Sequence, residues 1–431
     1  MSQALNKAGS LEHGKSKAIK TRYHALDALR VIAFGILILY HIGMYYVLEW
    51  GWHIKSEQPQ AWLQDIMILS NQWRMSLLFL ISSMVLTVLL TRIRVNLISY
   101  FKHAFVLVGQ RTQRLLIPLL FGMFVIVAPQ VYIEWTVNGT IDRSFFQFYL
   151  EYINPNTQWL KERQSDIGLL TWNHLWFLPY LWVYSLILIV LFPLLAQVGK
   201  LPLNFAVFSV LTCTAMLVVW LMLKSRYPTT HDLLNDWYSH AKYMLVMLVG
   251  AVVILRPTLW LAFVRWRYIS LVVALTMYLL IIADRHDVFG PVGTWMEESW
   301  WFRIFVGYVV VVNHWAWLAA VLGFGIRYLS KPYSWVRYLN GGILPYYMMH
   351  QTIIVVAAYS LHSIGLPIGL QFVVILSLTL AGCAVTYELA KTNVVSRVLF
   401  GLKVRAQVNK SKPFLATQVQ ASPLSGTKKA V

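Results

Sequence analysis

The sequence predicts an all-α, polytopic integral membrane bundle of about ten transmembrane helices, and three observations carry that prediction. Of 431 residues, 58% are hydrophobic and only 12% charged, against about a quarter charged in an ordinary soluble domain. The apolar residues gather into repeated runs near the length that crosses a hydrocarbon core of roughly 30 Å. Lys and Arg then concentrate in alternate gaps between those runs. A net charge of +19 would suggest nucleic acid in a soluble protein. Here it is sorted by membrane side, so no nucleic-acid partner is expected.

Taken in order, the expected spans lie at about 26–48, 66–91, 115–137, 174–197, 203–223, 241–255, 268–284, 302–326, 342–363 and 368–390, the sixth being the shortest. The first run is too long for a cleaved secretory signal and reads as a retained signal anchor. With residue 1 in the cytoplasm, the inner segments hold 26 of the 36 Lys and Arg residues, including Lys200, while 14 of the 17 acids fall on the other side. Both termini are therefore expected in the cytoplasm. The long outer loops, at about 49–65, 138–173, 224–240 and 285–301, carry Trp, Tyr, Asn and acids suited to a polar ligand. Residues 1–22 and 391–431 read as basic cytoplasmic tails attracted to anionic lipid, flanking a membrane domain over 23–390.

Polar residues inside the spans point to the chemistry, because an ionisable group in lipid is expensive and usually faces a cavity or a partner. Arg30 and His41, eleven residues apart, stand about three turns and roughly 16 Å of rise apart on one helix face. The second span contains another buried cation, Arg74, with Ser82 and Ser83 one to two turns deeper in it. A guanidinium cannot discharge by losing its proton. Arg111 and Arg114 share one face of a helical turn just before the third span, a geometry for gripping phosphate. Trp172-Asn-His-Leu-Trp176 opens the fourth span, and its tryptophans fit an interfacial belt. His174 in that stretch is a candidate for acceptor-side chemistry. In the ninth span Pro345 precedes His350, and a loosened helix beside a polar residue often lines a cavity. Asn313 and His314 form a further buried polar pair, for which a structural role is the simpler reading.

No phosphate-binding glycine loop, nucleophile elbow, buried carboxylate pair or Cys/His metal cluster is present, and Cys213 and Cys383 are isolated in apolar runs. No metal and no tightly bound cofactor are expected. Histidine remains as the side chain suited to take a proton from a hydroxyl near neutral pH.

This pattern resembles the acyltransferase 3 family of bacterial inner-membrane enzymes. That family is marked by Arg or Lys, ten residues, then His in the first span, matched by Arg30 and His41, and by an R-x-x-R loop, matched by Arg111 and Arg114. The chain is most similar to the glucans biosynthesis protein C group, implicated in succinylating osmoregulated periplasmic glucans. The shared stretches include Leu26-Asp-Ala-Leu-Arg30, Trp52-His-Ile-Lys-Ser56, Trp73-Arg-Met75, His174-Leu-Trp-Phe-Leu178 and Tyr346-Tyr-Met-Met-His350. One departure stands out: Ser83 occupies the position of a family glycine, where it would narrow an acyl tunnel or shift a packing contact. The resemblance implies acyl-CoA as donor, held from the cytoplasm by Arg111 and Arg114. It implies His41 as general base on a carbohydrate hydroxyl entering from outside, with Arg30 or Arg74 holding the donor or stabilising developing charge. Ser82 would sit on the donor side, and His174, His350 and Trp176 on the acceptor side or along the channel. The inner membrane is the implied location, and glucan-synthesis machinery an implied partner. A proton-coupled transporter or saccharide flippase is the competing class, disfavoured by the lack of a mid-span carboxylate.

Overall fold

A computed structural model describes residues 2–93, 97–165, 167–199 and 201–403, with side chains from residue 24 onward and, in the helix that begins at residue 97, from residue 98. Lys200, most of the expected tail over 391–431 and the side chains of the tail over 1–22 lie outside the described residues.

Long apolar segments in lipid must satisfy every backbone N–H and C=O internally, so they become helices. The chain runs α1 (Ser2–Tyr46), α2 (Trp62–Asn71), α3 (Arg74–Thr91), α4 (Leu97–Phe121), a π-helical turn (Gly122–Ile126), α5 (Ala128–Val137) and α6 (Phe145–Tyr152). It continues as α7 (Phe177–Val198), α8 (Phe205–Leu223), α9 (Trp237–Leu255), α10 (Pro257–Arg285), α11 (Val292–Glu298) and α12 (Trp300–Tyr328). A final group comprises α13 (Ser334–His362), α14 (Ile368–Ala390) and the short α15 (Val394–Leu399). No strand forms among the described residues; pairing is limited to the isolated bridges Val47–Gln60 and Ser165–Gly168.

Nine segments of the described chain are long and apolar enough to cross a bilayer. The one expected span outside these nine, the ninth at 342–363, lies in α13, which is as long as α12 but carries Asn340, His350, Gln351 and Thr352. Its contacts with α1 set it alongside that helix over its apolar length. Arg30 donates to Asn340 at 3.2 Å, His41 meets His350 at 2.7 Å, and the Tyr45 hydroxyl approaches His362 Nδ1 at 3.4 Å. The two helices thus run parallel through the same thickness. At the Arg30 face, the Tyr338 hydroxyl of α13 bonds Glu388 near the end of α14 at 2.6 Å. The bundle therefore begins and ends its crossings on one face. Central α12 is largely buried, whereas α10 turns Leu261, Val272 and Leu279 outward, as a lipid-facing helix does.

Three departures from regular helix shape the interior. The expected second span breaks at Gln72–Trp73, which places Arg74 at the first position of α3. Residues expected in a loop before the third span instead extend α4 back to Leu97, so Arg111 and Arg114 stand on a continuous helix. Within that span the π turn frees carbonyls from the usual ladder. The Tyr152 hydroxyl takes that of Met123 at 2.9 Å and the Thr352 hydroxyl that of Ile126 at 2.8 Å.

The segment after α1 folds back over its end. Ser56 N and Gln60 N bond the Tyr45 and Tyr46 carbonyls, at 2.9 and 2.7 Å. Lys55 Nζ donates to the Met44 and Trp50 carbonyls, at 2.9 and 3.0 Å, and to that of Val47. An ammonium on the orphan carbonyls of a helix C-terminus satisfies both their hydrogen bonding and the helix dipole. Burial lowers the Lys55 pKa, with Glu49 opposing it.

Candidate active site

A cavity of about 700 Å³ lies at the Arg30 face between α1, α3, α4, α7 and α13. Arg30, Arg111, Arg114 and Lys403 line it, with no carboxylate in the lining. Arg30 is held by Asn340 and by Asp27 at 3.8 Å. Arg111 donates to Ser185 Oγ at 3.4 Å, and among the described residues neither Arg111 nor Arg114 forms an ion pair with an acid. Several guanidinium groups around an apolar-walled space, of which only Arg30 is paired with an acid, have the chemistry to hold a multiply charged anion such as phosphate. Ser82 lines the same cavity.

Ser83 does not. Its hydroxyl bonds the Leu80 carbonyl at 2.9 Å and points at Gly250 of α9, where a methyl group would collide with it. Of the two readings of this departure, the structure shows the packing contact: the residue with no side chain sits on the facing helix.

Above the cavity the polar residues of α1, α13 and the 3-10 turn Asn173–Trp176 before α7 converge. His350 is fully buried, and its Nδ1 faces the Tyr347 and Tyr346 carbonyls at 2.8 and 3.2 Å. Two acceptors on that nitrogen require it to carry the proton, which leaves His350 Nε2 as a lone pair. His41 Nδ1, 2.7 Å away, must then be the donor. His41 Nε2 is therefore unprotonated, on a ring that is only half-buried. The pair is an imidazole whose tautomer is set by an orienting partner, the arrangement a general base requires.

His174 bonds the Met348 carbonyl through Nε2 at 3.0 Å, and its ring meets that of His350 edge-on at 5.2 Å. Tyr347 joins the two levels of the site. It lines the cavity, donates to the His174 carbonyl, and places its ring 5.6 Å from Phe34 and 6.0 Å from His350. His41 itself does not line the cavity, so a ligand reaching it from there must pass Phe34 and Tyr347.

Arg74 is separate from the other three arginines. Buried at the start of α3, it donates to Ser70 Oγ at 3.1 Å and sits 3.8 Å from the centre of the Tyr40 ring, next in sequence to His41. Its Nε has no protein partner. Trp176 lies under the segment before α9, stacked by His231 at 4.1 Å, so this face of the indole is covered. Burial holds the His231 imidazole below its ordinary pKa, although Asp236 pulls the other way. Asn313 and His314 are buried away from the site; His314 lines a separate cavity of about 20 Å³ with Gln72 and Lys242.

One constellation was not anticipated. His53, in the segment capping α1, donates through Nδ1 to Glu134 of α5. Its Nε2 accepts from Gln351 Nε2 at 2.8 Å, and the same amide donates to Gln130 Oε1 at 3.1 Å. Gln130, with no exposed surface, then donates to Thr352 Oγ1 at 2.6 Å and to His174 Nδ1 at 3.5 Å. A satisfied chain of polar groups thus joins the His53–Glu134 pair to the buried histidines. The His-Ile-Lys stretch was visible in the sequence, but its partner Glu134 is brought in by the π turn.

Among the described residues no group of His, Cys, Asp and Glu could hold a metal ion. No curated protein and no solved structure matches the chain. The family description for an acyltransferase domain, Acyl_transf_3, matches residues 23–388, a stretch that contains the cavity arginines on α1 and α4 and every histidine of the cluster. The chain therefore belongs to the acyltransferase 3 family and is a multi-pass membrane acyltransferase.

Proposed function

We propose that this acyltransferase moves an acyl group, acetyl or succinyl, from acyl-CoA at the Arg30 face to a hydroxyl of an envelope carbohydrate, such as a periplasmic glucan, at the opposite face. The Lys and Arg bias supports a cytoplasmic Arg30 face, and a bacterial inner membrane is part of the same proposal. The observation that carries the proposal is the stacking of the two levels: a carboxylate-free cationic cavity beneath a histidine whose tautomer leaves Nε2 free.

His41 Nε2 takes the proton of the acceptor hydroxyl as its oxygen attacks the thioester carbonyl. The C–S bond then breaks, and the thiolate of CoA leaves with the proton that His41 received. Positive charge on His41 in between is shared with His350 through the Nδ1–H bond. Arg74, with Nε unpaired beside Tyr40, is the donor suited to the developing oxyanion. Glucan-synthesis machinery would supply the acceptor.

Protein reconstituted in liposomes, with succinyl-CoA or acetyl-CoA at the Arg30 face and a β-glucan at the other, tests this. Thioester loss matched by ester on the glucan is expected. Glucan-dependent proton flux without thioester loss would replace the enzyme with a transporter.

Three substitutions follow from these contacts. His350→Ala should reduce kcat by roughly tenfold to a hundredfold, with KM for acyl-CoA unchanged, because it removes orientation rather than the base. Ser83→Gly should leave transfer within about twofold, a neutral substitution away from the cavity. Gly250→Ala, by contrast, should cost about 1–3 kcal/mol of stability through overpacking against Ser83 and Leu80, seen as a lower thermal midpoint.

A further inference from the structure

We propose that the segment after α14 is a strap across the donor cavity, and that Lys403 at its end is a further ligand for the phosphate groups of the donor. The inference rests on the reading that the cavity receives acyl-CoA.

Chain beyond Ala390 does not leave the bundle directly. Arg397 Nη2 donates to the Lys391 carbonyl at 2.9 Å and Nη1 to the Lys403 carbonyl at 3.2 Å, tying both ends of the segment to one guanidinium. Backbone bonds from Phe400, Gly401 and Leu402 to Ser396, Val398 and Arg397, at 3.0, 3.0 and 2.7 Å, close a compact turn. The Phe400 ring packs edge-on against Phe121 of α4, 5.3 Å between centres.

Gly401 makes the docking close. Its φ is +62°, a conformation L side chains rarely adopt, and a methyl group there would meet Leu344, Pro118 and the carbonyl of Arg114. That last contact seats the strap on the very turn that carries the cavity arginines. Val398, Gly401, Leu402 and Lys403 consequently form part of the cavity wall. Lys403 adds a fourth cation to Arg30, Arg111 and Arg114, from a segment that neither motif includes. Its exposed ammonium is a mobile point charge suited to a phosphate near the solvent end of the space.

The test is binding of CoA and of uncharged acetyl-pantetheine to the purified full-length protein and to Lys403→Ala, Lys403→Arg and Gly401→Ala. Lys403→Ala should weaken CoA binding about fivefold, the scale of one solvent-exposed charged contact. Acetyl-pantetheine binding should not change, and Lys403→Arg should restore CoA affinity. Gly401→Ala, by displacing the strap, should weaken CoA binding at least as much. Equal loss for both ligands, or no loss with CoA, would overturn the role of Lys403. Failure of the unsubstituted protein to bind CoA would instead remove the donor reading, and the strap's role with it.

Discussion

Replacing His41 by Ala is expected to lower acyl transfer by about 10²–10⁴, the range attributed to a positioned general base, while CoA binding stays at the unsubstituted level. The two effects separate because His41 stands above Phe34 and Tyr347 and takes no part in the cavity lining. His41→Gln is the sharper variant: its amide can still donate to His350 but offers no base of comparable strength. Transfer measured with labelled acyl-CoA and a saturating glucan, beside CoA binding on the same preparation, decides it. A stable His41→Gln protein with undiminished transfer would eliminate this residue as the base.

The second large effect is expected from the cavity arginines. Arg111→Ala with Arg114→Ala should raise KM for acyl-CoA by about a hundredfold. Charge-assisted bonds contribute roughly 1.5–3 kcal/mol each, and exposed Arg114 falls toward the low end of that scale because solvent screens it. The rate at saturating donor should change little. Because the interaction is between charges, raising the ionic strength should weaken CoA binding to the unsubstituted protein more steeply than to the double variant. A KM that is unmoved, or a loss shared equally by acetyl-pantetheine, would show that these arginines hold helix α4 in place rather than the donor.

Much of the fold was legible because lipid leaves few choices. Lengths near twenty residues identified the spans, including α13, whose polar residues keep it below the apolarity of the other nine. Spacing on a single helix was legible too: Arg30 with His41, and Arg111 with Arg114. Relations between helices were not. His41 and His350 are 309 residues apart, and nothing in either stretch says which nitrogen faces which carbonyl. Ser83 looked like a change in the tunnel because its compensating glycine is on another helix. The strap looked like a basic tail because Lys391, Arg397 and Lys403 were read together with the five further cations of 404–431. The short apolar run Val398-Leu-Phe400 before Gly401 was the signal that it docks.

The π turn at Gly122–Ile126 makes the histidine half of this site a matter of phase. In a uniform α-helix each residue advances about 100°, so deleting one residue from the regular helix between this turn and Gln130 would rotate everything beyond it by that amount, whereas the turn itself, with its i→i+5 bonds, holds a spare residue. Gln130 and Glu134 would leave His174 and His53 together, although neither residue had been changed and the cation-lined cavity below would keep its walls. Insertions and deletions of a single residue, usually tolerated in loops, become here a way to disconnect one membrane face from the other while preserving composition, charge and span length.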